Sequence, residues 1–145
     1  MGKGRRHYPD DVEQGATTAK PGAPEALGRF SVPNIRAAWW AWRAARRADR
    51  GLRRLGLHEA AGVFPPPPLP AGAERGVRAV LRRTEDTCLV RSIVLQRWYA
   101  AHGEPRDLII GVTSPDDEFE AHAWLEDEPV DERFRELLRR PPPSS

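Results

Sequence analysis

The pattern of hydrophobic and polar positions divides the 145-residue chain into a polar front, a helical middle and an extended C-terminal part. Residues 1–34 show no hydrophobic period and are rich in Gly, Pro, Thr and charge, which is typical of a disordered tail. From there on, apolar side chains recur regularly. We therefore predict one folded domain over residues 35–140 and a second disordered tail over residues 141–145.

Residues 35–56 are predicted to form an amphipathic helix with Asn34 as its N-cap and Gly56 as its C-terminal stop. Its apolar stripe consists of Ile35, Trp39, Trp42, Ala45, Leu52 and Leu55. We expect this stripe to pack on the core, while seven arginines cover much of the remaining surface. Three tryptophans within residues 39–42 are more than one face can bury, so we expect Trp40 to be available to a partner.

The middle of the chain predicts a stiff proline-rich spacer over residues 65–70 and a short helix over residues 73–83. Residues 88–102 give the strongest helix signal and are apolar on more than one side, which is typical of a helix at the centre of a fold.

The C-terminal part predicts strands at residues 107–113 and 119–126, and a third strand starting at Pro129 and Val130. Residues 133–140 are predicted to form a terminal helix. In the second strand, Phe119, Ala121, Ala123 and Leu125 share one face, and Glu120, His122, Trp124 and Glu126 share the other. Helices followed by an antiparallel meander indicate an α+β fold.

Charge and composition narrow the functional classes. Residues 1–60 carry twelve Lys/Arg against six Asp/Glu, whereas residues 107–145 carry four against eleven. Such a charge dipole favours steering of a charged partner over general nucleic-acid binding. The chain has one cysteine and shows neither a signal peptide nor a membrane-spanning run, which predicts a cytoplasmic protein without membrane insertion.

Candidate chemistry centres on Cys88 and His122. Cys88 lies at the start of a predicted helix, where the helix dipole and backbone N–H groups stabilise a thiolate. A strand that packs on this helix brings His122 towards the sulfur, which gives the pairing of a cysteine nucleophile with its base. Asp131 and Glu132 are the candidate acids that orient the imidazole. His7, His58 and His102 lack such a context and are treated as surface residues.

Other chemistry has little support in the sequence. One cysteine and one well-placed histidine do not make a tetrahedral zinc site, and no glycine-rich phosphate loop is present. We therefore expect neither a metal nor a cofactor.

Two blocks in this order carry a family resemblance. Cys-Leu-Val-Arg-Ser from Cys88 and Ala-His-Ala-Trp-Leu-Glu from Ala121 resemble the transglutaminase-like leader peptidases of lasso-peptide biosynthesis, over roughly residues 83–132. The resemblance implies a papain-like or transglutaminase-like core in which a cysteine-bearing central helix packs on a short antiparallel sheet. It assigns Cys88 as nucleophile and His122 as base. Glu132 aligns best with the family acid, and Asp131 is adjacent.

The resemblance also implies a biological role and a set of partners. The activity is removal of the leader from a lasso precursor peptide before a macrolactam synthetase closes the ring. Residues 1–34 are too short and polar for the leader-recognition domain that some members carry, so we expect a separate recognition protein. The tryptophans and arginines of the first helix are candidates for that interface. Two alternatives are another thiol acyltransferase or amidase of the same fold, and a non-catalytic protein that binds the precursor peptide.

Overall fold

The computed structural model describes residues 31–57, 62–114, 116 and 118–143. Within them the chain forms three α-helices and three β-strands. The helices are α1 (Val32–Leu55), α2 (Glu74–Leu81) and α3 (Cys88–Ala101), and the strands are β1 (Leu108–Thr113), β2 (Ala121–Leu125) and β3 (Phe134–Arg140). Residues 1–30, which make up most of the predicted tail and include His7, lie outside the described part, as do residues 58–61 with His58, residues 115 and 117, and residues 144–145.

Helix α1 begins at Val32, inside the segment that the sequence assigned to the tail, because Pro33 suits the first turn of a helix. Ser31, and not Asn34, is the residue that precedes it as N-cap. The face that enters the core is lined by Trp40 and by five alanines, namely Ala37, Ala41, Ala44, Ala45 and Ala48.

The predicted apolar stripe of α1 was wrong in its N-terminal half, where Ile35, Trp39 and Trp42 are exposed, whereas Ala45 and Leu52 pack on the core as predicted. Trp40 is 4% exposed and its indole N–H donates to the carbonyl of Phe64 at 3.4 Å, so it belongs to the core and is not available to a partner. Trp39 and Trp42 are instead exposed, at 60% and 37%. The alanine face packs on the core because its small side chains let α2 approach α1 closely.

Helix α2 lies against the first turn of α1 at Gly76. A Cβ placed on Gly76 would lie 2.1 Å from the carbonyl oxygen of Asn34, so the two backbones are closer than any side chain allows. Val77 and Leu81 of α2 then enter the common core with Trp98 of α3. The contact between α1 and α2 fixes the helical layer on which the sheet is built.

A polar cluster joins α2 to α3. The hydroxyl of Tyr99 donates to Glu74 at 2.6 Å and accepts from Arg78 at 2.6 Å, and the Arg106 guanidinium lies 3.9 Å from the centre of the Tyr99 ring. Burial alone would raise the pKa of Glu74, but the hydrogen bonds from Tyr99 and Arg78 outweigh it and hold that pKa below its usual range. Burial and the bond to Glu74 raise the pKa of Tyr99.

We expect Glu74→Gln to lower the melting temperature at neutral pH and to lose this effect in acid. A carboxyl whose pKa is depressed by folding stabilises the protein above its unfolded pKa of about 4.3, and that contribution disappears as the pH falls through the lower folded value. Thermal melts of the wild type and the variant between neutral and acidic pH should converge. Glu85→Gln is the control, since Glu85 is exposed, and a Glu74→Gln deficit that persists in acid would contradict this account.

Helix α3 is the central helix that the sequence predicted. Both sides of it are covered, and Trp98, Leu95, Val94 and Val90 are at most 1% exposed. His102 at its C-terminal end corrects the prediction of a surface residue: its ring nitrogens lie 2.8 Å from the carbonyl oxygen of Trp98 and 2.9 Å from that of Leu69. It therefore ties the proline-rich segment to the end of α3.

The sheet has the order β2-β1-β3, with both outer strands antiparallel to β1. The antiparallel sheet is confirmed, but it is not a meander, because β1 lies in the middle and the chain passes from β2 to the far edge. The predicted terminal helix over residues 133–140 was wrong, since Phe134–Arg140 pairs with β1 as a strand. Pairing with an open sheet edge outweighed the helix propensity of its Glu, Leu and Arg residues.

None of the helices in the described part has the length and apolar character that crossing a bilayer requires.

Candidate active site

Cys88 is the first residue of α3 and is half-buried against the core. The helix starts there because Thr87 has extended backbone angles and its side-chain oxygen accepts from the N–H of Val90 at 3.3 Å. The N–H groups of Cys88 and Leu89 precede the first helical bonds and have no partner among the described residues. This end of the helix therefore presents free donors and the positive end of the dipole beside the sulfur.

Asp86 adds an unusual feature two residues before the cysteine. Its Oδ2 atom is buried and has no hydrogen-bond partner within the part of the chain that the structure describes. An unpaired buried acceptor costs free energy, and such atoms are found at sites where a ligand or water supplies the missing donor. Sequence reasoning treated Asp86 only as part of a polar turn and had no signal that it is buried.

The contacts of α3 with the sheet show where Cys88 lies. Ser92 donates to the carbonyl of Ala123 in β2 at 3.1 Å, and one turn further on Gln96 donates to the carbonyls of Arg106 and Arg140. The helix therefore runs along the sheet from the start of β2 towards its end. Cys88, one turn before Ser92, lies at the end of the domain where β2 begins, which is the end that holds His122.

His122 lies on the face of β2 opposite to Ala123 and Leu125, as the alternation predicted, and is half-buried. Its ring is stacked with Trp124, with centroids 6.0 Å apart and planes at 18°, and lies 5.2 Å from the Phe134 ring. Phe134 belongs to β3, two strands away from His122. The contact is possible because the residue between them in β1, paired with His122, is Gly111.

Gly111 has to be a glycine for this arrangement. A Cβ there would lie 2.6 Å from the Trp124 indole and 2.7 Å from the carbonyl oxygen of Arg135. The register also shifts between Ile110 and Gly111, which turns the start of β3 towards His122. No local signal in the sequence indicates that this glycine supports the histidine.

The two candidate acids occupy the turn before β3. The Asp131 carboxylate accepts from the backbone N–H of Arg133 at 3.0 Å and pairs with its guanidinium at 3.1 Å. The same guanidinium reaches Glu120 at 3.0 Å and lies 4.8 Å from the centre of the Phe134 ring. Asp131 is thus engaged in holding the turn, whereas Glu132 is exposed and has no ion pair within the described residues.

No hydrogen bond among the described residues joins the His122 imidazole to the Cys88 sulfur, to Asp131 or to Glu132. The structure therefore brings Cys88 and His122 to one end of the domain without a hydrogen bond between them. The catalytic roles of all four residues stay predictions. Among the described residues no group of three or more His, Cys, Asp or Glu side chains has the arrangement that holds a metal ion.

A cavity opens at this end of the sheet beside the strand that carries His122. It is lined by Glu118, Phe119, Glu120 and Arg133. Phe119 lies two residues before Ala121, the first residue of β2, and is 79% exposed. It therefore does not join Ala123 and Leu125 in the core, although the alternation placed it on the same face. The cavity thus combines an exposed aromatic ring with two carboxylates and the Arg133 guanidinium.

A thiol at the start of a central helix and an imidazole on the adjoining antiparallel sheet are two groups that thiol-dependent acyl transfer needs, and that reaction also requires them within hydrogen-bond reach of each other. Comparison with protein families agrees: residues 30–140 match the family model described as the transglutaminase-like superfamily, and the chain belongs to that superfamily. Its fold is that of cysteine proteases and acyltransferases. The comparisons with curated proteins and with solved structures each gave no significant match.

Proposed function

We propose that this protein is a cysteine peptidase that removes the leader from a ribosomally made lasso precursor peptide in the cytoplasm. The observation that carries the proposal is Cys88 as the first residue of α3, beside free backbone donors, within a chain of the transglutaminase-like superfamily. The resemblance of the Cys-Leu-Val-Arg-Ser and Ala-His-Ala-Trp-Leu-Glu blocks to lasso leader peptidases gives the substrate class.

In the proposed reaction the Cys88 thiolate attacks the carbonyl carbon of the last leader residue. The N–H of Cys88 donates to the oxyanion that forms. His122 gives its proton to the departing amine, which becomes the N-terminus of the core peptide, and a thioester to the leader remains. Water then loses a proton to His122 and attacks the thioester, which releases the leader carboxylate and regenerates the thiol. The chemistry requires no metal or cofactor.

The two proposed catalytic side chains, Cys88 and His122, share no hydrogen bond in the structure and have to approach each other for the reaction. His122 faces away from the sheet surface on which α3 lies, and β2 is an edge strand, so the dyad closes around the start of β2. Catalytic hydrogen bonds often tighten only in the substrate complex. We propose that binding of the precursor beside Asp86 and Phe119 completes the dyad, and that a separate recognition protein delivers the leader before a macrolactam synthetase acts.

The test is mass spectrometry of a candidate precursor peptide incubated with this protein and its recognition partner. A leader-sized fragment ending in a free carboxylate supports the peptidase. A parallel reaction contains a primary amine as a competing acceptor, and a leader carrying that amine as its main product would favour a transglutaminase-like acyltransferase. If the precursor stays intact and iodoacetamide fails to alkylate Cys88 at neutral pH, a non-catalytic peptide-binding protein would replace the proposal.

Asp131 and Glu132 are the two candidates for the acid that orients His122. We expect Glu132→Gln to lower kcat about tenfold, a smaller loss than a buried acid gives, because an exposed carboxylate acts through a high dielectric. We expect Asp131→Asn to loosen the turn that Arg133 holds, and so to lower the melting temperature more than kcat. Steady-state kinetics and thermal melts of both variants separate the two roles. The opposite pattern would make Asp131 the acid.

A further inference from the structure

Helix α1 carries a second apolar face that the other described residues leave uncovered. It consists of Val32, Ile35, Trp39 and Trp42, which are 69%, 56%, 60% and 37% exposed. These four residues, called here the tryptophan seam, are spaced by three, four and three positions. That is the spacing of a and d positions in a coiled coil, and it gives a narrow stripe that fits one partner helix.

The seam is ordered by its own contacts. The rings of Trp39 and Trp42 are stacked with centroids 5.1 Å apart and planes at 22°. The Arg46 guanidinium lies 4.9 Å from the centre of the Trp42 ring and ends the stripe. Large aromatic side chains held in one conformation beside arginine are typical of the residues that dominate the energy of protein interfaces.

The charge around the seam selects the kind of partner. Helix α1 holds seven arginines and one acid, Asp49, which pairs with Arg53 at 3.0 Å. The other six arginines have no acidic partner among the described residues. Arg36 and Arg43 directly follow the two d residues of the seam and so occupy e positions, which in coiled coils face the g positions of the partner.

We propose that the tryptophan seam docks an amphipathic helix of an acidic polypeptide partner, with apolar residues on the seam and carboxylates against Arg36 and Arg43. A second copy of this chain is a poorer occupant, because the arginines beside its own seam repel those beside this one. Several carboxylates of its C-terminal part are also already paired with Arg133 and Arg139. A membrane surface calls for a broader apolar face than a single a/d stripe.

This inference rests on the proposed function in one respect, namely that the acidic partner is the protein that presents the precursor. Binding at the seam involves neither Cys88 nor His122. If the acidic partner binds but the precursor is not cleaved, only the proposed peptidase activity is contradicted. If the partner does not bind while Cys88 is still alkylated, only the proposed docking at the seam is contradicted.

The experiment uses the full chain and a fluorescein-labelled three-heptad peptide with leucine at a and d and glutamate at e and g, measured by fluorescence anisotropy. A matched peptide carries lysine at e and g. We expect the wild type to prefer the acidic peptide. Trp39→Ser/Trp42→Ser should raise its Kd at least tenfold, and Arg36→Glu/Arg43→Glu should shift the preference to the lysine peptide.

Two controls match these variants in exposure and chemistry. Leu137→Ser removes an apolar side chain of β3 that is 69% exposed, and Arg135→Glu reverses an exposed charge on the same strand; both should bind like the wild type. Equal binding of the two peptides by the wild type would overturn the proposal, as would equal losses in the control variants. Tighter seam-dependent binding of single-stranded DNA or of phosphatidylglycerol vesicles would also overturn it and assign the face to that ligand.

Discussion

Replacing Cys88 by alanine is expected to lower precursor cleavage by at least about 10⁴-fold, because the covalent route disappears with the sulfur. The helix should be unaffected, since its start is fixed by Thr87 and not by the thiol. The measurement is the rate of leader release followed by mass spectrometry, with thermal melts to show that the variant folds. His122→Ala should be nearly as damaging, because the thiol then lacks the base that deprotonates it and the leaving amine lacks the imidazolium that protonates it.

The single cysteine makes this prediction easy to check by a second route. Cys88 is the only thiol in the chain, so any mass increase after iodoacetamide treatment reports on that residue alone. Alkylation should abolish cleavage in the wild type to the same extent as Cys88→Ala. Cleavage that survives either change would remove Cys88 from the mechanism and leave the transglutaminase-like fold without a thiol reaction.

The parts of the fold that the sequence predicted well depend on local signals. The polar residues before Cys88 and the continuous apolar run after it define α3 whatever packs around it. The alternation around His122 likewise assigned that residue and Trp124 to one face of β2. Both features that carry the candidate chemistry are of this kind, and therefore Cys88 and His122 could be placed at a helix start and on a strand from the sequence alone, while their catalytic roles stay predictions.

The parts of the fold that the sequence predicted wrongly or missed depend on contacts with residues far away in the chain. Nothing within residues 134–140 indicates a strand, because the decisive contact is the free edge of β1 more than twenty positions earlier. Asp86 and Gly111 were missed for the same reason: burial of a carboxylate oxygen and the close approach of an indole are set by other elements. The choice between Asp131 and Glu132 as the candidate acid stays open, because both lie in the turn that forms only when β3 pairs with β1.

The two stripes of α1 show how packing selects between local alternatives. Judged by side-chain hydrophobicity, the stripe with Trp39 and Trp42 should face the core. The alanine stripe does so instead, because α2 contributes Gly76 at the crossing and the two backbones meet at van der Waals distance. This packing leaves Trp39 and Trp42 outside, where they form the tryptophan seam with Val32 and Ile35. The seam is thus a consequence of the close crossing at Gly76.

The close contact between α1 and α2 at Gly76 leads to the largest expected effect on stability. In the middle of a helix, Gly→Ala normally stabilises by about 1 kcal/mol. At Gly76 we expect the opposite sign, a loss of about 3 kcal/mol in the free energy of unfolding, because the new Cβ would meet the backbone of Asn34 and neither helix can yield by a side-chain rotation. The melting temperature should fall on the order of 10 °C.

Gly72→Ala is the matched control, since a Cβ at Gly72 meets nothing within 4 Å and the residue lies in the turn just before α2. That variant should be neutral or slightly stabilising, because alanine restricts the unfolded chain. Denaturant unfolding of both variants gives the comparison directly. If Gly76→Ala is as stable as Gly72→Ala, then α1 and α2 do not cross at van der Waals distance, and the alanine face loses its advantage over the tryptophan seam in the core.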